Sequence, residues 1–280
     1  MIWKLPHAKF RRRLSSILLQ VCVVGLGFNM NLVEILRVGS TGILYTASSL
    51  IGVLIMGLWL GKIFKVHRRN SFLITVGTAI CGGSAIAAVG PVIDAQEEEM
   101  SVSLGTVFLL NAVALLLFPW IGTLAGLNEP QFGLWSALAI HDTSSVVAAG
   151  ARYGTVALTV GTTIKLARAL WIIPLCLGIA VIERQDQPRL KWPWFIGFYL
   201  CAALFNSLFP AGRPLFEGVY TLSRLGLTAT LFLIGSGITR QSLEKIGVKP
   251  LLQGITLWVA VSLVSLLMIQ HSLLPVPVLD

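Results

Sequence analysis

Charge is what this sequence has least of. Only 12 of its 280 residues are acidic, charged residues of both signs make up 12%, and 55% are hydrophobic, giving a mean hydropathy of +0.83. A water-soluble globule cannot be surfaced with so few polar side chains, so lipid must be the solvent for most of the chain. Cysteine is also sparse. Cys22, Cys81, Cys176 and Cys201 each lie inside an apolar segment, which excludes a disulfide framework and a metal-ligand spacing and leaves them as thiols in lipid or core. His7, His67, His141 and His271 are too scattered for a metal cluster, so neither a metal nor a cofactor is expected. No small-x-small cleavage motif ends the apolar run that follows Lys9 to Arg13, which argues against a secretory leader.

What is present is apolar sequence in blocks of about 20 residues, the length a helix needs to cross roughly 30 Å of hydrocarbon. Nine blocks are predicted, at 14–32, 41–61, 72–93, 102–121, 132–150, 157–182, 194–208, 220–238 and 251–269. The expected fold is an all-α polytopic membrane protein, a single transmembrane domain over residues 1–280. With the amino terminus inside, fifteen of the 21 basic residues fall on the cytoplasmic side, including Lys62, Lys65, Arg68, Arg69, Arg184, Arg189 and Lys191. Arg37, Arg152 and Arg213 fall outside, with the acidic run Asp94, Glu97, Glu98 and Glu99, and the carboxyl terminus is external. The net charge of +9 reflects this asymmetry, so nucleic acid is not an expected partner.

Two internal similarities organise the chain, as they do in many secondary transporters. VGLGF at 24–28 matches IGSGI at 234–238, making 14–61 and 220–269 an outer pair of opposite orientation. AICGGSAIAAVG at 79–90 matches AIHDTSSVVAAG at 139–150, making 71–121 and 131–182 two central units, each a glycine- or serine-rich segment followed by a helix ending in proline. Simple crossing makes the central repeat parallel. Either one segment is re-entrant or the likeness reflects only close packing of small residues.

The chemistry is expected in these two segments. Gly77, Gly82 and Gly83 in one, and the run His141 to Ser145 in the other, disfavour an unbroken helix. Broken backbone is tolerated in a bilayer only where protein or a watery cavity satisfies it. Ser84, and Thr143 or Ser144, are expected to cap the resumed half-helices, whose positive N-termini suit an anion. Asp142 is the one acidic residue deep in a span, against Lys165, Arg168 and Arg224. Lys165 and Arg168 share a helical face with Thr159 and Thr162. An electropositive interior favours an anionic substrate, although Asp142 paired with Lys165 or Arg168 could equally serve only to lock the fold. The substrate-binding candidates are Gly82, Gly83, Ser84, Thr143, Ser144, Ser145, Lys165 and Arg168. His141 and Asp142 are candidates for coupling to a proton or sodium. Asn111 and Asn206 read as interhelical glue.

A secondary carrier of a small anion accounts for repeats, breaks and buried cations together. An anion channel would use the same cations to line an open pore. An intramembrane hydrolase built from His141, Asp142 and Ser144 or Ser145 is the third reading, weakened because adjacent residues on a helix point apart and no oxyanion hole is evident.

GTAICGGSAIAAVGP at 77–91, VFLLNAVALLLFP at 107–119, FGLWSALAIHDTSSVVAAG at 132–150 and KLARALWIIP at 165–174 resemble the YeiH-type family, whose members are described as sulfate exporters. The resemblance covers almost the whole chain. It implies a bacterial inner-membrane carrier related in fold to sodium/proton antiporters and bile-acid-symporter-like proteins, moving sulfate or a sulfonate-like anion. Members carry about two further helices ahead of the segment equivalent to 14–32, so the bundle is expected to lack an N-terminal helix pair, which leaves three alternatives open: an incomplete product, an overlooked upstream start, or a partner protomer in a homodimer that fills the gap.

Overall fold

The computed structural model describes residues 17–18, 20–29, 32–182, 194–235, 247–274 and 276. Among them all regular structure is helical, as expected of backbone that must satisfy its own hydrogen bonds in lipid. In chain order the helices are α1 (Leu32–Ile63), α2 (Arg68–Ala79), α3 (Gly83–Val89), α4 (Glu97–Leu124), α5 (Glu129–Ala139), α6 (Thr143–Tyr153), α7 (Thr155–Ala169), α8 (Ile172–Ile182), α9 (Trp194–Leu208), α10 (Arg213–Gly235) and α11 (Val248–Gln270).

Two compact units are present. One comprises residues 1–35 and 193–239, the other residues 36–192 and 240–280. In the first, Gly27 packs on Tyr199 and Ala202 of α9 and Gly25 on Ser223 of α10, while the Leu32 amide donates to the Ser207 hydroxyl at 3.1 Å. The second IGSGI glycine at 237 and its flanks, and the side chains of Arg37 and Arg224, lie outside the described residues.

The second unit holds the two central segments, which differ from the two crossing helices expected there. Among the described residues four helical stretches are long and apolar enough to span a membrane: Thr46–Ile63, Glu97–Leu124, Thr155–Ile179 and Val248–Gln270. The blocks at 72–93 and 132–150 are not crossing helices. Each is a hairpin of two short arms.

Contacts fix the direction of every arm. Along α2, Asn70 lies by Ser103 and Gly77 by Val107, so α2 runs parallel to α4. Gly83 faces Leu104 and Phe108, whereas Gly90 faces Met100, so α3 runs back antiparallel to α4. The arms pack on each other where Gly77 meets Ile86. In the second hairpin Phe132, near the start of α5, stacks on Tyr153, the last residue of α6, with ring centroids 3.8 Å apart, and the Tyr153 hydroxyl donates to the Leu127 carbonyl at 2.6 Å. Gly133 faces Ala157 and Gly161, so α5 runs parallel to α7; Gly150 faces Leu158, so α6 runs antiparallel to it.

Between the hairpins α4 runs the full length of the unit once. The first hairpin therefore enters from one end and the second from the other, and the central repeat is inverted. Arms of 12 and 11 residues in α2 and α5 are about 16–18 Å long, roughly half the thickness of a bilayer's hydrocarbon core. The acidic run also changes place. Glu99 lies 3.0 Å from His67 and 3.8 Å from Arg69, so Glu97 to Glu99 sit at the same end as the basic residues around the start of α2, not at the opposite one. The Gln96 and Glu99 capping box that starts α4 holds this corner together.

α11 runs parallel to α4 along both hairpins. Near its start the Gln253 amide donates to Gly57 O at 2.9 Å and to the Ser71 hydroxyl at 2.9 Å. Further on, Ser262 O accepts from the Trp135 indole at 3.0 Å. Outward faces carry large apolar side chains, among them Ile55 and Trp59 of α1, Leu116 and Trp120 of α4 and Leu263 of α11, as a lipid-facing surface requires.

Candidate functional site

The two hairpin tips touch. Between α2 and α3 the chain breaks at Ile80 to Gly82, and between α5 and α6 at Ile140 to Asp142. Gly82 has φ of 66°, and a Cβ there would sit 3.4 Å from the His141 carbonyl carbon and oxygen and 3.3 Å from Val107. Only glycine takes that conformation readily while letting another backbone approach so closely.

Each break strands carbonyls at the end of one half-helix and amides at the start of the next. The carbonyl ends are closed by the two basic residues of α7, both wholly buried. Lys165 Nζ donates to Ile140 O at 2.6 Å and Ala137 O at 3.2 Å. Arg168 reaches both hairpins: Nε donates to Ala79 O at 2.6 Å and Nη2 to Thr78 O at 3.3 Å, while Nη1 donates to Leu138 O at 2.6 Å and Ala137 O at 3.3 Å. A planar fork of five N–H donors makes such double attachment feasible. Positive charge is thereby placed at the negative ends of two helix dipoles.

On the amide side the expected caps are corrected. The N-cap residues are Gly82 for α3 and Asp142 for α6; Ser84, Thr143 and Ser144 lie inside the first turns. Ser84 donates to Cys81 O at 3.1 Å and lies 2.7 Å from Cys81 Sγ, so Cys81 belongs to the tip rather than to lipid. The Ser144 hydroxyl donates to the Asp142 carboxylate. Asn111 of α4 accepts from the His141 amide at 3.2 Å and the Asp142 amide at 3.3 Å, so it satisfies the second break instead of only gluing helices. Nothing in the sequence beyond its place in an apolar helix marks that role.

Among the described residues no ion pair joins Asp142 to Lys165 or Arg168; the pairs found there belong to Glu99. Asp142 is partly exposed and Ser84 exposed, whereas His141, Thr143, Ser144 and Ser145 are buried. Both ring nitrogens of His141, Asn111 Nδ2 and Thr162 Oγ1 are buried without a hydrogen-bond partner. His141 therefore does not hold the Ser144 hydroxyl. No group of three His, Cys, Asp or Glu able to hold a metal occurs among the described residues.

Sequence reading missed Glu129, whose carboxylate accepts from the Val156 amide at 2.8 Å and the Ala157 amide at 3.4 Å. It caps α7 from the neighbouring helix and so sets the height of Lys165 and Arg168 against the tips. A cavity of about 360 Å³ lies between α1, α11 and the end of α5, where Ser48, Ser49, Ser265 and Leu138 contribute to its wall. It reaches the second hairpin at Leu138, in the last turn of α5, and not at His141 to Ser145.

The family model described as conserved hypothetical protein 698 matches residues 11–254. The chain is 51% identical over 262 residues to a UPF0324 membrane protein of Bacteroides thetaiotaomicron, covering 93% of this chain and 79% of that one. It is 50% identical over 270 residues to one of Porphyromonas gingivalis (95% and 82%) and 49% identical over 263 residues to one of Bdellovibrio bacteriovorus (92% and 81%). No solved structure matches.

Proposed function

The chain belongs to the family described as conserved hypothetical protein 698, and we propose that this membrane protein is a secondary carrier of a small anion, coupled to protons, with its site where the two hairpin tips meet. The observation that supports this reading most is the contact of two oppositely directed half-length hairpins beside one carboxylate and two buried cations. Broken helices meeting at mid-membrane are the usual substrate platform of secondary carriers. A helix that merely packs has no reason to be interrupted in lipid.

Charge selects the cargo. Lys165 and Arg168 carry two positive charges into the crossing and Asp142 one negative, so an anion restores neutrality. In this reading the α6 N-terminus and the hydroxyls of Thr143, Ser144 and Ser145 receive the anion, with Ser84, Gly82 and Gly83 contributed by the first tip. Ionised Asp142 would repel it. Protonation of Asp142, with His141 adjacent, removes that repulsion, so anion and proton favour each other's binding and travel together. The likeness to the YeiH-type family points to sulfate or a sulfonate-like anion. The relation to sodium/proton antiporters and bile-acid-symporter-like carriers is proposed on the same footing. The same likeness implies a bacterial inner membrane; in this reading the distribution of Lys and Arg puts the amino terminus and the mouth of the first hairpin on the cytoplasmic side and makes the second hairpin re-entrant from outside.

The test is flux of sulfate, sulfite and organic sulfonates into liposomes holding the purified protein, with and without a pH gradient. Saturable counterflow accelerated by the gradient is expected, and Asp142→Asn should abolish the acceleration while leaving counterflow measurable. Non-saturating conductance would favour the channel, and an Asp142→Asn protein that still responds to the gradient would remove Asp142 from coupling.

A further inference from the structure

Carriers with broken helices commonly hold a coupling alkali cation on the carbonyls that the breaks release. Here those carbonyls have another occupant. Thr78, Ala79, Ala137, Leu138 and Ile140, the C-terminal oxygens of both first arms, receive donors from Lys165 and Arg168 at 2.6–3.3 Å. Both side chains are wholly buried.

We infer that Lys165 and Arg168 are tethered substitutes for a mobile coupling cation, so that the transport cycle of this protein does not use sodium. This rests on the carrier reading above and narrows its coupling ion.

A carbonyl that already accepts from an ammonium or guanidinium presents an approaching cation with a fixed like charge at hydrogen-bond distance. The lone pairs that remain are therefore poor ligands. A tethered charge also cannot leave the protein, so it stabilises the tips without moving down a gradient and contributes no driving force. One Arg serving both hairpins adds a second consequence, since the two tips are fastened to each other through a single side chain of α7.

What remains exchangeable at the crossing is the proton on Asp142. The ionisable groups around that carboxylate are Lys165 from α7, Cys81 from the first tip and its neighbour His141, with Arg168 acting on His141 from the same α7 face. Lys165 is the one that both acts on the Asp142 carboxylate and holds released carbonyls: its removal would vacate Ile140 O and leave Ala137 O to Arg168 alone.

Two measurements test the inference, one independent of transport. Thermal unfolding of the purified wild-type protein in detergent is compared in sodium, potassium and choline chloride at equal ionic strength. Curves that coincide are expected; stabilisation specific to sodium overturns the inference, whether or not any anion is ever transported. In liposomes, flux of a transported anion should change less than twofold when sodium is replaced by potassium at fixed pH gradient, and a tenfold fall overturns it. Flux absent under every condition would instead count against the carrier reading, and the unfolding curves alone would then decide. Lys165→Ala should acquire a sodium-specific stabilisation that the wild type lacks. A folded Lys165→Ala protein without that response overturns the claim that the ammonium stands where a cation would bind.

Discussion

Arg168 shows how far one residue's role depends on partners the sequence does not name. Its charge inside an apolar helix is legible in KLARALWIIP, because such a charge is costly and needs a task. Its task is less so: the partners are backbone carbonyls of Thr78, Ala79, Ala137 and Leu138, and a backbone oxygen is available at every residue. Arg168→Lys keeps the charge but offers a single nitrogen that cannot serve both hairpins. Each carbonyl left buried and unpaired costs about 1–3 kcal/mol, so a fall in Tm of several degrees is expected in a melting experiment. The tips should also loosen. In a background with Cys22, Cys176 and Cys201 replaced by Ser, the buried Cys81 thiol should react at least tenfold faster with a permeant maleimide when Arg168 is Lys. Equal labelling rates would show that Arg168 does not hold the first tip closed. Asn111 was legible only as an intramembrane polar residue. That it serves two amides of another segment follows from the break at Ile140 to Asp142, which must exist before Asn111 has anything to accept from.

At the scale of elements, hydropathy misjudges a hairpin for a simple reason. An averaging window of about 20 residues sums over both arms, and two apolar arms of half length total the same as one crossing helix. The breaks themselves were legible, since Gly82 and Gly83 in one segment and His141 to Ser145 in the other are poor helix formers at mid-block. Missing was a signal that the chain reverses there rather than continuing past a kink. No sequence signal joins the acidic run to His67 and Arg69, which Glu99 contacts in the fold, so simple crossing parts them and makes the central repeat parallel. Impermeant thiol labelling in a cysteine-free background settles the direction. Glu98→Cys and Lys65→Cys should be reached from the same face of the membrane, and Arg152→Cys from the opposite face. Labelling of Glu98→Cys from the side of Arg152→Cys would restore 72–93 as a crossing helix.

For the molecule as a whole, the inverted central repeat carries an asymmetry that sequence likeness cannot show. Ser84 and Ser144 are equivalent in the two motifs, and so are Gly90 and Gly150. Ser84 is exposed, whereas Ser144 is 1% exposed and turned onto Asp142. Under the carrier reading proposed above, this difference in exposure would mark one state of alternating access, and the other state would follow when the hairpins exchange conformations. The same chain then has two arrangements of comparable free energy, and a ligand shifts between them only by as much as it binds one better. The exchange predicts reciprocal accessibility. In the cysteine-free background, Ser84→Cys should label quickly in the state described and more slowly once the transported anion and low pH favour the opposite state. Ser144→Cys should change in the reverse sense, with the two rates moving by similar factors. If both rates rise together, the tips part from each other and open a continuous path, which is the behaviour of a channel and not of a carrier.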